Sequence, residues 1–356
     1  MKSFFIGNIE ITLPIVQGGM GVGISLSGLA SSVANEGGVG VIASAGLGLL
    51  YKGESSNYWQ NCILGLKEEL RKAREKTMGT IGVNIMVALS NFKDMVKTAI
   101  SEKADIIFAG AGLPLDLPSY RTADSTTMLA PIVSSGRAAQ IICSKWQSNY
   151  DYLPDAIVVE GPKAGGHLGF KKEQITDENY SLEQIVVDVI KVANEYKDVK
   201  NIPVIAAGGI STGEEISRFM ELGVAGVQLG SIFVPTDECD ASSKFKQTYI
   251  DSQEKDVVII QSPVGMPGRA IENDFIRNVK DGLTKPKNCP FHCIRTCDYT
   301  KSPYCIIKAL YNAAQGNMKD GYAFAGANAY LTKKISSVKE VIAKLKQEFL
   351  SVKNRK

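Results

Sequence analysis

The sequence predicts an α/β protein, a closed (β/α)8 barrel with a small cap inserted after the eighth strand. Two features carry this. From Pro14 to Val234 short β-branched runs alternate with longer amphipathic segments, the rhythm of parallel strands joined by helices. The runs are nearly continuous in apolar residues, as parallel strands covered on both faces require. An open doubly wound sheet is the structural rival, and it wants GxGxxG after its first strand. The opening run QGGMGVGIS spaces its glycines differently, at Gly19, Gly21 and Gly23, so the barrel is preferred.

Taken in order, the expected strands are Ile15–Met20, Val39–Ser44, Ile81–Val87, Ile106–Ala109, Leu129–Ser134, Ala156–Glu160, Pro203–Ala207 and Gly226–Phe233. The helices between them are expected over Leu26–Glu36, Leu64–Lys76, Phe92–Lys103, Ala138–Gln147, Leu182–Tyr196 and Gly213–Leu222. Asp116–Thr127 carries Pro118 and little helical period, so a poorly formed helix is expected there. After strand eight the character changes. A polar helix, an isolated strand (Val257–Gln261), the turn-rich SPVGMPGRA and a cysteine cluster follow, then two last helices, Tyr304–Gln315 and Ser336–Leu350. The resulting division is a barrel over 1–234, a cap over 235–305 and C-terminal helices over 306–356 that pack on the barrel.

Composition narrows the function classes. At 356 residues, 44% apolar and 22% charged, the chain has room for a large core. A net charge of +3 offers no global field for nucleic acid. No stretch approaches a membrane helix, and MKSFFIGNIEITLPI has no signal-peptide run, so the cytoplasm is the expected compartment. Disulfides are then a poor default for the seven cysteines.

In a barrel, chemistry sits at the C-terminal strand ends. Strand seven ends as VIAAGGIST, where Gly208-Gly209 and a helix starting near Ser211–Gly213 let amides approach an anion. Gly230-Ser231 adds a bare amide and a hydroxyl on the neighbouring strand, completing a phosphate cup; tight corners are the plainer alternative. Strand one ends in QGGMG, exposed backbone and a soft Met20 against which a flat ring can lie. Asn84, polar within an apolar strand, needs a partner, either a loop or a heterocycle edge. Strand six ends as VVEGPKAGGHLGF: Glu160 leaves the strand, and His167 follows Gly165-Gly166 in a flexible loop over the mouth. A histidine so flanked has little packing to justify it, and its pKa range suits acid–base work, against the alternative of a surface-loop residue.

Together, QGGM, VNIMV, VVEGPKAGGHLG, PVIAAGGI, GVQLGS and SPVGMPGRA resemble the nitronate monooxygenase (2-nitropropane dioxygenase) family, a grouping that includes flavin-dependent enoyl-acyl-carrier-protein reductases and quinone reductases. The resemblance implies a TIM barrel binding FMN. It implies that Gly18, Gly19 and Met20 line the isoalloxazine and that Asn84 bonds its edge. Glu160, where many relatives carry Gln, would face the flavin or its ribityl chain beside Gly165. Gly208, Gly209, Gln228, Gly230 and Ser231 would cradle the phosphate, and His167 would stand over the flavin as the catalytic residue. The leading expectation is oxidation of alkyl nitronates with O2. The alternatives are NAD(P)H-dependent reduction of an enoyl thioester or quinone, and a barrel that binds a phosphorylated ligand without turnover. A small-molecule substrate is the expected partner, with no nucleic acid and no membrane; a homodimer is the candidate assembly.

The cluster Cys289, Cys293, Cys297 and Cys305 lies outside the family pattern. Its C-x3-C-x3-C-x7-C spacing matches neither zinc ribbons nor ferredoxins. Unligated, partly buried thiols are expected there, with a metal site as the alternative.

Overall fold

The computed structural model describes residues 1–55 and 57–354. Eight parallel strands form one sheet: β3 (Ile15–Gln17), β4 (Gly40–Ala43), β5 (Ile81–Met86), β6 (Ile106–Gly110), β7 (Met128–Val133), β8 (Ile157–Glu160), β10 (Val204–Ala207) and β11 (Gly226–Leu229). Their order, β3-β11-β10-β8-β7-β6-β5-β4, leaves β3 and β4 at the two ends. A parallel bridge between Val16 and Val39 joins those ends, so the sheet closes into the expected (β/α)8 barrel. Buried Gln17 staples the seam by accepting from the Val41 amide at 2.9 Å.

The helices α1 (Ser27–Asn35), α2 (Leu47–Leu50), α3 (Tyr58–Lys76), α4 (Phe92–Ser101), α5 (Gly136–Tyr150), α6 (Leu182–Glu195) and α7 (Gly213–Glu221) lie between the strands. Helix α3 begins six residues before its expected start, because Asn57 caps it by accepting from the Trp59 amide at 2.8 Å. Between β6 and β7 there is only a 3-10 turn, Leu117–Tyr120, as the proline foretold. Strand β11 ends at Leu229, and the residues after it turn into a short 3-10 helix, Ser231–Phe233.

A hairpin, β1 (Phe4–Ile6) and β2 (Ile9–Ile11), precedes the barrel. Phe4, Ile6 and Ile11 pack with the inward-facing Val16, Val41, Phe108, Val158 and Ile205, so the hairpin plugs the barrel at its N-terminal end. A larger apolar shell fills the space between strands and helices.

Beyond β11 come α8 (Ser243–Asp251), β12 (Val257–Gln261), β13 (Pro267–Ile271), α9 (Asp274–Lys280), α10 (Ile306–Ala314) and α11 (Val338–Lys353). Two expectations change here. The strand Val257–Gln261 is not isolated: it pairs antiparallel with β13, which pairs in turn with a two-residue strand β9, Gly166–His167. The GGH segment is therefore a sheet edge and not a flexible loop, because long-range pairing gives its backbone partners that local sequence does not reveal. Helix α11 packs against α7 and α1, the place of the barrel's eighth helix.

Candidate active site

A cavity of about 620 Å³ opens at the C-terminal ends of the strands, the size range of cofactor and ligand sites. Every barrel strand or the residues just after it contributes lining. All twelve residues singled out from sequence line this one cavity: Gly18, Gly19, Met20, Asn84, Glu160, Gly165, His167, Gly208, Gly209, Gln228, Gly230 and Ser231.

The glycines have separable reasons. Gly208 and Gly209 have φ of 100° and 87°, a conformation side chains rarely adopt. A Cβ on Gly19 would lie 2.2 Å from that of Asn84, so bare backbone lets strand β5 present its amide there. A Cβ on Gly230 would meet only the Met20 sulfur, at 3.6 Å, and would project into open cavity. That vacant space beside a backbone turn is a cradle.

The start of α7 does not serve that cradle as expected. Thr212 and Glu215 form a capping box, with Glu215 accepting from the Ser211 amide at 2.7 Å and the Thr212 amide at 3.1 Å. Glu348 of α11 takes the Gly213 amide at 2.8 Å. The first helix is filled likewise: Asp240 accepts from Leu26, Gly28 and Leu29, and Glu69 from Ser27. Carboxylates thus occupy the N-termini of α1 and α7. The Gly208-Gly209 turn and Gly230-Ser231 line the same cavity and carry no such carboxylate.

A third segment was missed from sequence. Gly326 donates its amide to the Ser231 hydroxyl at 2.8 Å, and Asn328 reaches the Gly209 carbonyl at 2.7 Å. A Cβ on Gly165 would lie 2.6 Å from the Ala325–Gly326 backbone. The signal was available in AFAGANA, small residues where backbones approach closely.

Three polar side chains, Asn84, Glu160 and Gln228, enter the cavity without a side-chain partner among the described residues. All three are partly exposed to the cavity and can bond a ligand there. Burial pushes the Glu160 carboxyl up to about 7, with no cation nearby to oppose it. The lining contains no lysine and no arginine.

His167 is half-buried and firmly held. Its Nε2 shares a 2.7 Å hydrogen bond with the Ser262 hydroxyl, and its ring meets Phe324 edge-on, centroids 5.0 Å apart. Burial pushes its pKa down to about 4, so the imidazole is neutral at pH 7. Behind it, buried Arg269 donates to the carbonyls of Pro162 and Ala164 at 2.7 and 2.6 Å and fixes the connection leading into β9. Neither Ser262 nor Arg269 was foreseen, since both lie about a hundred residues away from their partners, at separations of 95 to 107.

The segment holding the four clustered cysteines is irregular, not helical. It docks through Arg295, which donates to the Val87 carbonyl at 2.6 Å. Among the described residues no three His, Cys, Asp or Glu side chains are gathered for a metal, and the cysteines are free thiols. No described helix is long and apolar enough to cross a membrane.

Comparison with known proteins agrees with the barrel fold. Residues 2–348 match the family model for nitronate monooxygenase. A probable nitronate monooxygenase of Staphylococcus saprophyticus is 26% identical over 299 residues, 77% of this chain and 80% of that protein. FabK from Thermotoga maritima superposes with a TM-score of 0.73 at 26% identity, covering 97% of this chain and 95% of that one. Nitroalkane oxidase from Streptomyces ansochromogenes shares the fold, with a TM-score of 0.73 at 20% identity over 97% of this chain and 98% of that one. With almost its whole length matched, this chain belongs to the nitronate monooxygenase family of flavin-using oxidoreductases.

Proposed function

We propose that this chain is an FMN-dependent oxidoreductase that oxidises alkyl nitronates with O2. The observation that supports it best is one cavity combining a glycine cradle, three unpartnered polar side chains and a rigidly held neutral imidazole. A single phosphate cradle suits a mononucleotide, and the start of α1, where a second phosphate could otherwise sit, is filled by Asp240 and Glu69.

In this reading Gly208, Gly209, Gly230 and Ser231 hold the phosphate through amides and a hydroxyl, with Gly326 bracing Ser231. Gln228 joins the phosphate cradle, Asn84 bonds the polar edge of the ring system, and Gly18, Gly19 and Met20 lie along it. The bound flavin supplies the redox chemistry, and the protein supplies position and electrostatics. His167 orients the substrate and, being neutral at pH 7, accepts a proton from carbon when the nitroalkane arrives un-ionised. Phe324 and Ser262 keep its ring from turning away.

A second reading has its own support. A cavity without lysine or arginine and walled by Leu113, Ile132, Phe170, Met266 and Leu310 suits a neutral, apolar substrate such as an enoyl thioester or quinone, with NAD(P)H as donor. A barrel that merely binds a phosphorylated ligand has no use for the held imidazole.

Heat release and chromatography of the cofactor test the first step: FMN is expected, and FAD as the sole product refutes the cradle. Anaerobic titration then separates the readings. Loss of flavin absorbance with nitronate and not with NADH supports the monooxygenase; loss with NADH selects the reductase.

A further inference from the structure

The titratable groups of the cavity are few. Besides Glu160 they are His167 and the phenols Tyr180 and Tyr249. His167 is neutral above its depressed pKa, and burial raises the Tyr249 phenol far out of the neutral range. The cations nearest in the chain are turned elsewhere: Arg269 is spent on two carbonyls behind the connection, and Lys163 is exposed and lines no part of the cavity. Glu160 sits at the end of β8, paired through its backbone with Ala207 of β10, and its carboxyl has no protein partner among the described residues. Among the described lining residues the charge near neutral pH is therefore that of Glu160, added to the phosphate of the flavin that this cavity is read to hold.

We propose that Glu160 is the charge filter of the cavity: ionised, it turns anionic ligands away, and protonated, it admits them, while neutral ligands are indifferent to it. The proposal rests on the reading of this cavity as a flavin site. It names a substrate class within that reading: the nitronate anion is accepted on the acid side of neutrality, and neutral nitro, enoyl or quinone compounds throughout. Burial moves the carboxyl to about 7, so the filter switches near neutral pH. With no lysine or arginine among the described lining residues to offset it, one charge across the cavity at an effective dielectric of about 20 weakens anion binding by about tenfold or more.

The test uses the flavin-loaded enzyme and two ligands of one shape, benzoate and benzamide, titrated by flavin difference spectra at pH 5.5 and 8.5. For the unsubstituted chain benzoate is expected to weaken about tenfold or more at the higher pH, and benzamide to stay within about twofold. Glu160→Gln, which keeps the shape of the neutral acid, should abolish the benzoate effect. Glu160→Asp should restore it, and His167→Asn should leave it in place. Benzoate affinity independent of pH, or pH dependence that survives Glu160→Gln and disappears with His167→Asn, overturns the proposal. If neither ligand perturbs the flavin, its midpoint potential decides: Glu160→Gln must raise it at pH 8.5 and not at 5.5, and equal potentials at both overturn the filter. A preparation without flavin sinks the underlying reading and the filter with it, whereas flavin present and insensitive to Glu160 sinks the filter alone.

Discussion

Replacing His167 with asparagine separates chemistry from fold. Asparagine retains a donor and some bulk but cannot titrate. The folded chain loses the Ser262 contact at 2.7 Å and the edge-on packing on Phe324. The first is worth about 1 kcal/mol and the second about 0.5–1.5 kcal/mol, so about 2 kcal/mol in all. The backbone pairing with Gly268 survives, because it uses main-chain atoms. In a chain this size that cost lowers Tm by roughly 5 °C or less. Flavin occupancy should be unchanged. Turnover of neutral nitroalkane should fall by about 10²–10⁴-fold, the range for removing a placed general base. With preformed nitronate the loss should be much smaller, since the proton has already gone. The assay is oxygen uptake with both forms of one substrate, alongside thermal melting and flavin absorbance. Wild-type rates on both forms would refute the catalytic assignment. An equal loss on both would reduce His167 to a residue that orients substrate.

Three further outcomes follow from the same geometry. Gly230→Val should lower flavin occupancy without unfolding the chain, because its side chain enters open cavity beyond the Met20 sulfur; full occupancy in the variant, read from the ratio of flavin to protein absorbance, would move the phosphate elsewhere. In flavin-free protein the two cavity residues should impose opposite pH slopes on stability. The folded state keeps His167 neutral while the unfolded chain protonates below 6.5, so its contribution is lost as pH falls from 6.5 towards about 4. The folded state keeps Glu160 protonated while the unfolded chain ionises above 4.5, so its contribution is lost as pH rises from 4.5 towards about 7. Urea midpoints should therefore rise with pH in Glu160→Gln and fall in His167→Asn across this window; parallel slopes would refute the assignments. Lastly, Cys293→Ser should leave flavin reduction intact, the cluster holding no redox centre that turnover needs; stoichiometric iron in the anaerobically purified protein, lost together with activity in the variant, would overturn this.

What the sequence made legible was local. Strand cores are runs of Val, Ile and Ala, and their ends announce themselves where glycine or an isolated polar residue interrupts the run, as at Gln17-Gly18, Asn84, Glu160 and Gly208. What it hid depends on groups far apart in the chain. His167 reads as a loop residue because its partner strand begins a hundred residues later and its own strand is two residues long, too short for any alternation to show. The hairpin strands near the N-terminus carry no visible role, since three-residue strands plugging the barrel's N-terminal end leave no period either. Helix N-termini misled for a different reason. The Gly-Gly-Ile-Ser-Thr-Gly run beside α7 is what an anion site offers, yet Glu215 and Glu348 satisfy those amides, one from within the helix and one from α11, 135 residues on. An Ala or Gln at either position would free amides for phosphate and remove a helix cap at once. The chain instead assigns these helix amides to carboxylates, so in the proposed reading the phosphate is left to glycine turns whose amides belong to no helix. Glycine content in these strings is thus evidence of where an anion can approach, and the capping carboxylates decide which amides are left to meet it.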